Sequence, residues 1–280
     1  MEVLPIASDS LGIRSMATYA KTKDCKILID PSAALGPKRY GLPPAKIELE
    51  TFTKTKNKIA NIALQSDILV ISHYHYDHYD PSETFYYDKK VFAKDINKNI
   101  NKSQHERGLD FKEKVESFCE LVFCDDSKHK IGDTEVIFSQ PFFHGPKDIR
   151  LGYIVMTTVN DGEKKLLHTS DVQGPVTENA KDYIISQKPD LLIIDGPPTF
   201  FLGWRFSRKN LDKAENNLVE IIEQLKCDVI LDHHLLRDLK YRENFPGPYK
   251  KAGSIVKTFA EYLGKENNTL EAHRKELWGK

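Results

Sequence analysis

Residues 66–80 read Ser-Asp-Ile-Leu-Val-Ile-Ser-His-Tyr-His-Tyr-Asp-His-Tyr-Asp. The apolar run from Ile68 to Ile71 is too short for a helix and is rich in β-branched residues, so it predicts a buried strand. This strand leads into a loop that holds three histidines and one aspartate. Imidazole and carboxylate groups are poor material for an apolar core because each needs its own polar partner. They are good ligands for divalent metal ions, so the stretch predicts a metal site at the end of a strand.

The spacing of these four residues indicates two metals. In an extended segment His73 and His75 point to the same side, so both can bind one ion. Asp77 and His78 lie beyond the predicted strand end, where a loop can turn them toward a second ion. The alternative is a histidine-rich surface loop, which the tight spacing disfavours.

The motif His-x-His-x-Asp-His after an apolar strand resembles the signature of the metallo-β-lactamase superfamily. The resemblance implies an α/β fold, a four-layer αββα sandwich of two mixed sheets flanked by helices, with the metals at one edge. We expect residues 1–280 to form a single domain of this type.

The same resemblance implies further ligands at the ends of other predicted strands. His144 lies 66 residues beyond His78, where the family places a third histidine for its first metal. Asp171 matches the family's aspartate that bridges two metals, as in the glyoxalase, lactonase and phosphodiesterase branches. Of His233 and His234, we expect His233 to bind the second metal. The implied ligand set is His73, His75, Asp77, His78, His144, Asp171 and His233.

Asp30 follows another predicted strand and precedes Pro31. The resemblance implies that it supports the metal loop through hydrogen bonds, whereas the plain interpretation is a turn aspartate before proline.

The composition limits the class of protein and its partners but does not identify a substrate. Lys plus Arg and Asp plus Glu both number 41, so the chain is neutral overall, and a nucleic-acid partner is not favoured although a local basic groove stays open. We see no apolar run of membrane-spanning length and no signal peptide, and we expect a cytoplasmic protein without a membrane partner. Four cysteines are too few for a disulfide framework. The sequence does not predict an oligomeric state.

Catalytic roles follow from the expected metals. Asp77 would orient the nucleophile, and His168, His234 or a metal-bound water would protonate the leaving group, with nothing in the sequence ranking the three. A metal-bridging water with a pKa of about 7 would attack a carbonyl or a phosphorus centre.

Substrate-binding residues are expected in two places. Trp204 and Arg205 belong to an aromatic loop after the apolar run 190–195, which is either a substrate wall or a packing or dimer contact. Arg237 follows the histidine pair and could hold an anion. Arg107 lies in the polar stretch 97–107, which could project over the site to hold an anionic substrate, although a solvated helix face is the favoured interpretation.

These features predict a metal-dependent hydrolase with two divalent metal ions. Zinc is favoured, with manganese or iron as alternatives, because the ligands include imidazole and carboxylate but no thiolate. We expect a small-molecule substrate, with a phosphodiester or nucleotide slightly ahead of a lactone or thioester. Functions of another class, an iron-dependent dioxygenase or a non-catalytic metal-binding protein, stay open.

Hydrophobic periodicity predicts the main helices. We expect them at about 47–64, within 95–120, at 178–187, from a cap at Asn210 to 225, and at 254–263. The charged residues 265–280 suggest an exposed end.

Overall fold

The computed structural model describes residues 1–147 and 150–280. Its first sheet has six strands: Glu2–Pro5 (β1), Thr18–Lys21 (β2), Lys26–Ile29 (β3), Ile68–Ile71 (β4), Lys90–Ala93 (β5) and Glu120–Phe123 (β6). They lie side by side in chain order, antiparallel from β1 to β3 and parallel from β3 to β6. This sheet is therefore mixed.

The remaining strands follow in the second half of the chain: Ser127–Ile131 (β7), Thr134–Phe138 (β8), Phe142–Phe143 (β9), Tyr153–Ile154 (β10), Thr157–Asn160 (β11), Lys165–His168 (β12), Leu191–Asp195 (β13), Asp228–Asp232 (β14) and Val256–Lys257 (β15). Seven of them form a second mixed sheet in the order β15, β14, β13, β12, β11, β8, β7. It too joins antiparallel strands at one side to parallel strands at the other. β9 and β10 form a separate antiparallel ribbon.

The helices are Lys46–Gln65 (α1), Lys102–Val115 (α2), Glu178–Gln187 (α3), Arg208–Leu225 (α4), Tyr241–Asn244 (α5), Gly247–Ala252 (α6), Phe259–Tyr262 (α7) and Arg274–Leu277 (α8). Four short 3-10 helices lie at Asp9–Leu11, Thr199–Phe201, His233–Arg237 and Gly253–Ile255. None of the helices in the described part of the chain has both the length and the apolar character needed to cross a membrane.

Three apolar layers hold the sheets and helices together. Side chains from both sheets meet in the middle layer, where Ile27 and Val70 of the first sheet share a cluster with Val136 and Ile193 of the second. The opposite face of the first sheet packs against α1 and α2, and that of the second packs against α3 and α4. Strand residues alternate between the layers because successive side chains point to opposite faces. The predicted four-layer αββα sandwich is confirmed.

Helix α4 shows how local sequence sets an element. Its apolar stripe, which includes Leu211, Leu218 and Ile221, is fully buried against the second sheet. The Ser207 side chain accepts a hydrogen bond from the Asn210 backbone at 3.1 Å and caps the helix start. The predicted cap at Asn210 was therefore wrong by three positions. Helix α3 has the predicted bounds, whereas the helical pattern at 95–120 narrows to α2.

The C-terminal segment agrees only in part with the predicted exposed end, because residues 275–280 are exposed whereas Glu271 and Arg274 are buried. Arg274 has no solvent exposure, and its guanidinium donates to the Glu48 carboxylate at 2.7 Å and to the Gly36 carbonyl at 2.9 Å. Arg14 and Glu271 form a second, two-bond ion pair with both distances at 2.6 Å. The expected helix over 254–263 is also reduced to the single turn α7. Long-range ion pairs accompany this burial, since Glu271 and Arg274 find charged partners in the first fifty residues.

Candidate metal centre

The predicted ligands all lie where a strand ends or a turn follows it. His73 comes two residues after β4, His144 follows β9, Asp171 follows β12 and His233 follows β14. Strands β3 and β4 run parallel in one sheet, and β12, β13 and β14 run parallel in the other. Parallel strands bring their carboxyl ends to one edge of a sheet, so the loops that follow them meet there.

The first cluster contains His73, His75, His144 and Asp171. One ligand atom from each residue lies within 4.8 Å of the others, and three of the four residues are buried. The Nε2 atom of His144 is 3.0 Å from Asp171 Oδ2. Three imidazoles and one carboxylate make a donor set suited to a divalent transition metal.

The second cluster contains Asp77, His78 and His233, again within 4.8 Å of one another. Asp171 reaches this cluster through its other oxygen: Oδ1 lies 3.1 Å from His78 Nε2 and 3.5 Å from His233 Nε2. The Asp171 carboxylate therefore stands between the two clusters, with one oxygen toward each.

Several buried ligand atoms lack a hydrogen-bond partner among the described residues. They are His78 Nε2, both ring nitrogens of His144, and Asp171 Oδ1. Their short separations do not have hydrogen-bond geometry, and a buried polar atom left without a partner costs about 1–3 kcal/mol. Cations held by these clusters would satisfy His78 Nε2, Asp171 Oδ1 and one ring nitrogen of His144, so the residues present fit divalent metal binding.

Asp30 holds the metal loop, as the sequence predicted. Its Oδ2 atom is 2.8 Å from His78 Nδ1, and its Oδ1 atom accepts the backbone N–H of Ser72 at 2.9 Å. The Ser72 hydroxyl also bonds to the same carboxylate at 2.8 Å. A carboxylate on Nδ1 fixes the ring orientation and leaves Nε2 for a metal.

Asp9 plays the corresponding part for His233, and the sequence analysis missed it. Its Oδ2 atom is 2.8 Å from His233 Nδ1, while Oδ1 accepts the Nε–H of Arg237 at 2.8 Å. Asp9 lies in a short turn more than 200 residues before His233, so no local motif connects them. The only local signal is a buried polar run, Ser8 to Ser10, directly after an apolar strand.

Four residues at this edge have strained backbone. Asp30, Ser170, Gln173 and His233 have φ angles of 52°, 53°, 53° and 63°, in the left-handed region that side chains other than glycine rarely adopt. Each such residue costs on the order of 1–3 kcal/mol and persists only where surrounding contacts hold it. The hydrogen bonds of Asp30 and His233 provide those contacts.

Electrostatics at the centre favour positive charge between the carboxylates. Burial followed by the neighbouring imidazoles lowers the pKa of His75 to about 3, so this ring is neutral. Burial acts to lower the pKa of His78 and His233, but the neighbouring carboxylates together outweigh it. Asp171 and Asp30 raise the pKa of His78 well above its usual value, and Asp171 and Asp9 raise that of His233 to about 10. Protons or metal cations can supply the charge that Asp171 attracts.

A cavity of about 780 Å³ opens directly onto the clusters. His75, Asp77, His144 and Asp171 reach its floor, and Phe200 and Phe201 form part of its wall. A cavity of this size accommodates a small molecule.

Two of the residues that were predicted to be catalytic or to bind substrate, His168 and Trp204, do not line this cavity. His168 is fully buried, with Nε2 3.0 Å from the Met16 carbonyl and Nδ1 accepting the Ser170 backbone N–H at 3.3 Å. Both ring nitrogens are engaged by backbone, so His168 is not placed to protonate a leaving group. Trp204 is 72% exposed and lies outside the cavity lining, whereas its neighbour Arg205 is part of it.

His234 and Arg237 do line the cavity, but with changed roles. Asp195 bonds to His234 Nδ1 at 2.9 Å, and burial followed by Arg237 lowers the pKa of His234 well below its usual value. A neutral ring held this way suits a proton acceptor better than the predicted donor. Arg237 is only 4% exposed and pairs with Asp9, so it supports the second cluster as much as it faces a substrate.

The fold has clear counterparts among solved structures. A possible metal-dependent hydrolase of Veillonella parvula aligns with a TM-score of 0.57 and 13% identity over 88% of this chain and 94% of its own. An isothiocyanate hydrolase from Delia radicum gut bacteria gives 0.54 and 14% over 87% and 93%. The metallo-β-lactamase fold protein YhfI of Bacillus subtilis gives 0.52 and 15% over 91% and 92%.

Sequence comparison finds much closer relatives. UPF0282 protein MJ1629 of Methanocaldococcus jannaschii is 46% identical over 99% of this chain and 96% of its own length. UPF0282 proteins of Thermococcus onnurineus and Korarchaeum cryptofilum are 43% and 40% identical, each over 99% of this chain and over 95% and 94% of their own. No family model matches the chain. The chain belongs to the UPF0282 protein family and has the metallo-β-lactamase fold that its His-x-His-x-Asp-His motif predicts.

Proposed function

We propose that this chain is a metal-dependent hydrolase that binds two divalent cations and cleaves an ester-type bond in a small molecule. The observation that carries the proposal is the pair of ligand clusters joined by Asp171. His73, His75, His144 and Asp171 would hold one ion, and Asp77, His78, His233 and Asp171 the other. Zinc is the favoured metal because the donors are imidazole and carboxylate. Bound there, two such ions supply Lewis acidity and lower the pKa of a coordinated water.

The chain's own residues supply orientation and proton transfer. Asp30 and Asp9 fix two ligand rings, so that their Nε2 atoms face the centre. Asp195 holds His234 at the cavity wall, and we assign His234 as the group that accepts a proton from the attacking water.

A phosphodiester is our first choice of substrate, and a lactone or thioester the second. A pair of metals can steady both the attacking and the leaving oxygen of a displacement at phosphorus. Two of the structural counterparts are described as hydrolases, one of them metal-dependent, which agrees with the reaction class.

Metal content and hydrolysis, measured together, test this proposal. Elemental analysis of the protein should give two equivalents of zinc or manganese, and hydrolysis of bis-p-nitrophenyl phosphate should stop on chelation. His144→Ala and His233→Ala should each retain one equivalent, whereas Asp171→Asn should lose both. His273→Ala removes an exposed histidine that pairs with Glu276 far from these clusters and should change neither quantity.

Each contrary outcome has a definite meaning. Two equivalents of metal in Asp171→Asn would contradict the shared ligand, and the absence of any bound metal after reconstitution would overturn the proposal. Two equivalents of iron with oxygen consumption would replace hydrolysis by oxygen chemistry.

A further inference from the structure

The wall of the cavity carries an excess of positive charge. Five arginines line it, namely Arg14, Arg107, Arg150, Arg205 and Arg237, whereas the only carboxylates among its described lining residues are the proposed ligands Asp77 and Asp171. The chain as a whole is neutral, with 41 basic and 41 acidic residues. The concentration of arginine at this one opening is therefore local and does not follow from composition.

Two of the five arginines already have carboxylate partners. Arg14 forms a two-bond pair with Glu271 at 2.6 Å, and Arg237 pairs with Asp9 at 2.8 Å. These two arginines support the surrounding structure, and their charges are largely neutralised.

The other three have no carboxylate partner within the described residues. Arg107 donates to the Tyr74 carbonyl at 3.2 Å, and its guanidinium lies 4.6 Å from the centre of the Tyr76 ring. The Arg205 guanidinium lies 4.3 Å from the centre of the Trp204 ring. Stacking orders a guanidinium while leaving donors at its edge, so these side chains are partly prepared to bind an anion.

The three arginines come from separate segments of the chain. Arg107 lies on α2, Arg150 lies between β9 and β10, and Arg205 follows the turn Thr199–Phe201. Surface arginines on a single helix would be ordinary solvated charges, but these converge on one opening above the clusters. Planar guanidinium groups match phosphate and carboxylate oxygens in two-bond geometry.

We infer that Arg107, Arg150 and Arg205 form a binding site for an oxyanion group of the substrate that is remote from the bond being cleaved. This rests on the proposed function, since it takes the metal clusters as the place of reaction. The substrate is then a small ester with a phosphate or carboxylate at its far end. Phe200, Phe201 and Tyr76 also line the cavity and suit a flat apolar portion of the substrate such as a nucleobase.

Binding measurements test the inference without requiring turnover. We would titrate zinc-loaded protein calorimetrically with thymidine 5′-monophosphate, with thymidine 3′,5′-bisphosphate, and with thymidine 5′-monophosphate carrying a 3′-hemisuccinate. The bisphosphate should bind at least about tenfold more tightly than the monophosphate, because a second charge gains charge-assisted hydrogen bonds. Comparable gain from the hemisuccinate would identify a general oxyanion site, and gain from the bisphosphate alone a phosphate site.

Variants locate the effect. Arg107→Gln, Arg150→Gln and Arg205→Gln should each weaken bisphosphate binding about tenfold while monophosphate binding changes less. Arg208→Gln is the matched control, because Arg208 pairs with Asp212 on α4 and should leave both affinities unchanged.

Equal affinities for all three ligands, or full bisphosphate affinity in the three variants, would overturn the inference. Zinc content measured on the same samples separates this failure from failure of the proposed function. If the protein holds two equivalents of zinc but binds all three ligands equally, only the proposed arginine site is contradicted. Absence of zinc affects the hydrolase proposal itself.

Discussion

At the scale of single residues, the centre depends on carboxylates that do not touch the metals. Asp30, Asp9 and Asp195 each bond to the Nδ1 atom of one histidine, His78, His233 or His234. Removing one hydrogen-bond partner of a buried ring frees its orientation and weakens the ligand it supports. The family resemblance pointed to Asp30, whereas the His-x-His-x-Asp-His motif gives no indication of Asp9.

Asp9→Asn should weaken metal binding at the second cluster only. The substitution removes the charge that orients His233 and that pairs with Arg237, so we expect metal affinity there to fall about 10- to 100-fold. Competition against a chromophoric chelator would resolve the weak and the tight equivalents.

Asp110→Asn is a suitable control, since Asp110 pairs with Lys114 on the exposed face of α2. If Asp9→Asn lowered the affinity for both metal equivalents equally, the cause would be general destabilisation. If neither affinity changed, the supporting role of Asp9 would be wrong.

Prediction from sequence worked at this scale where residues lie close together in the chain. The spacing of the motif identifies four candidate ligands, His73, His75, Asp77 and His78. The structure brings them together with His144, Asp171 and His233. Asp9 was not predicted because its partners, His233 and Arg237, lie more than 200 residues later in the chain. Arg107 was interpreted as solvated because periodicity does not show that α2 stands beside the opening.

At the scale of elements, the C-terminal segment is held by charge. Ion pairs join Glu271 to Arg14 and Arg274 to Glu48, so residues near the end pack onto the first loop and onto α1. The charged composition of residues 265–280 had predicted an exposed segment. Charge density describes how polar a segment is and carries no information on which distant partner it meets.

Glu271→Gln should make the free energy of unfolding depend less on pH in the acidic range. Burial raises the pKa of Glu271, but its bonds to Arg14 outweigh burial, so the folded pKa lies below the unfolded value of 4.5. The stabilisation is thus present above pH 4.5 and lost as pH falls through the folded pKa. Urea unfolding at neutral pH should show a lower free energy of unfolding for the variant, and the gap from wild type should close toward pH 3.

Glu266→Gln controls for the loss of a charge without an ion pair, since Glu266 is exposed. A gap between wild type and Glu271→Gln that stayed constant with pH would contradict the assigned role of the ion pair.

At the scale of the whole molecule, packing and metal binding are separable. The three apolar layers cover both faces of each sheet, whereas the candidate ligands lie where strands end. The fold was predictable because one motif resembles a family with a fixed architecture, and because strand periodicity survives in the buried runs. The ribbon of β9 and β10 and the short C-terminal turns carry too few residues for such periodicity.

Chelation should therefore lower the melting temperature without unfolding the chain. Metal that binds only the folded state adds about 4 kcal/mol when its free concentration is 1,000 times the dissociation constant. Far-ultraviolet circular dichroism should stay unchanged at 25 °C, while the thermal transition moves down by several degrees and returns on adding zinc. Loss of the dichroism signal at 25 °C would show that the metals are required for the fold itself.

The position of Asp171 between two sets of ligands also constrains the order of events in the cell. Its partners His73 and His78 follow the first sheet, whereas Asp171 itself, His144 and His233 follow strands in the second half of the chain. A nascent chain that has emerged only through β6 contains neither a complete cluster nor the carboxylate that joins them. Loading of the proposed metal sites would then come after synthesis of the second half, so it would mark the finished molecule.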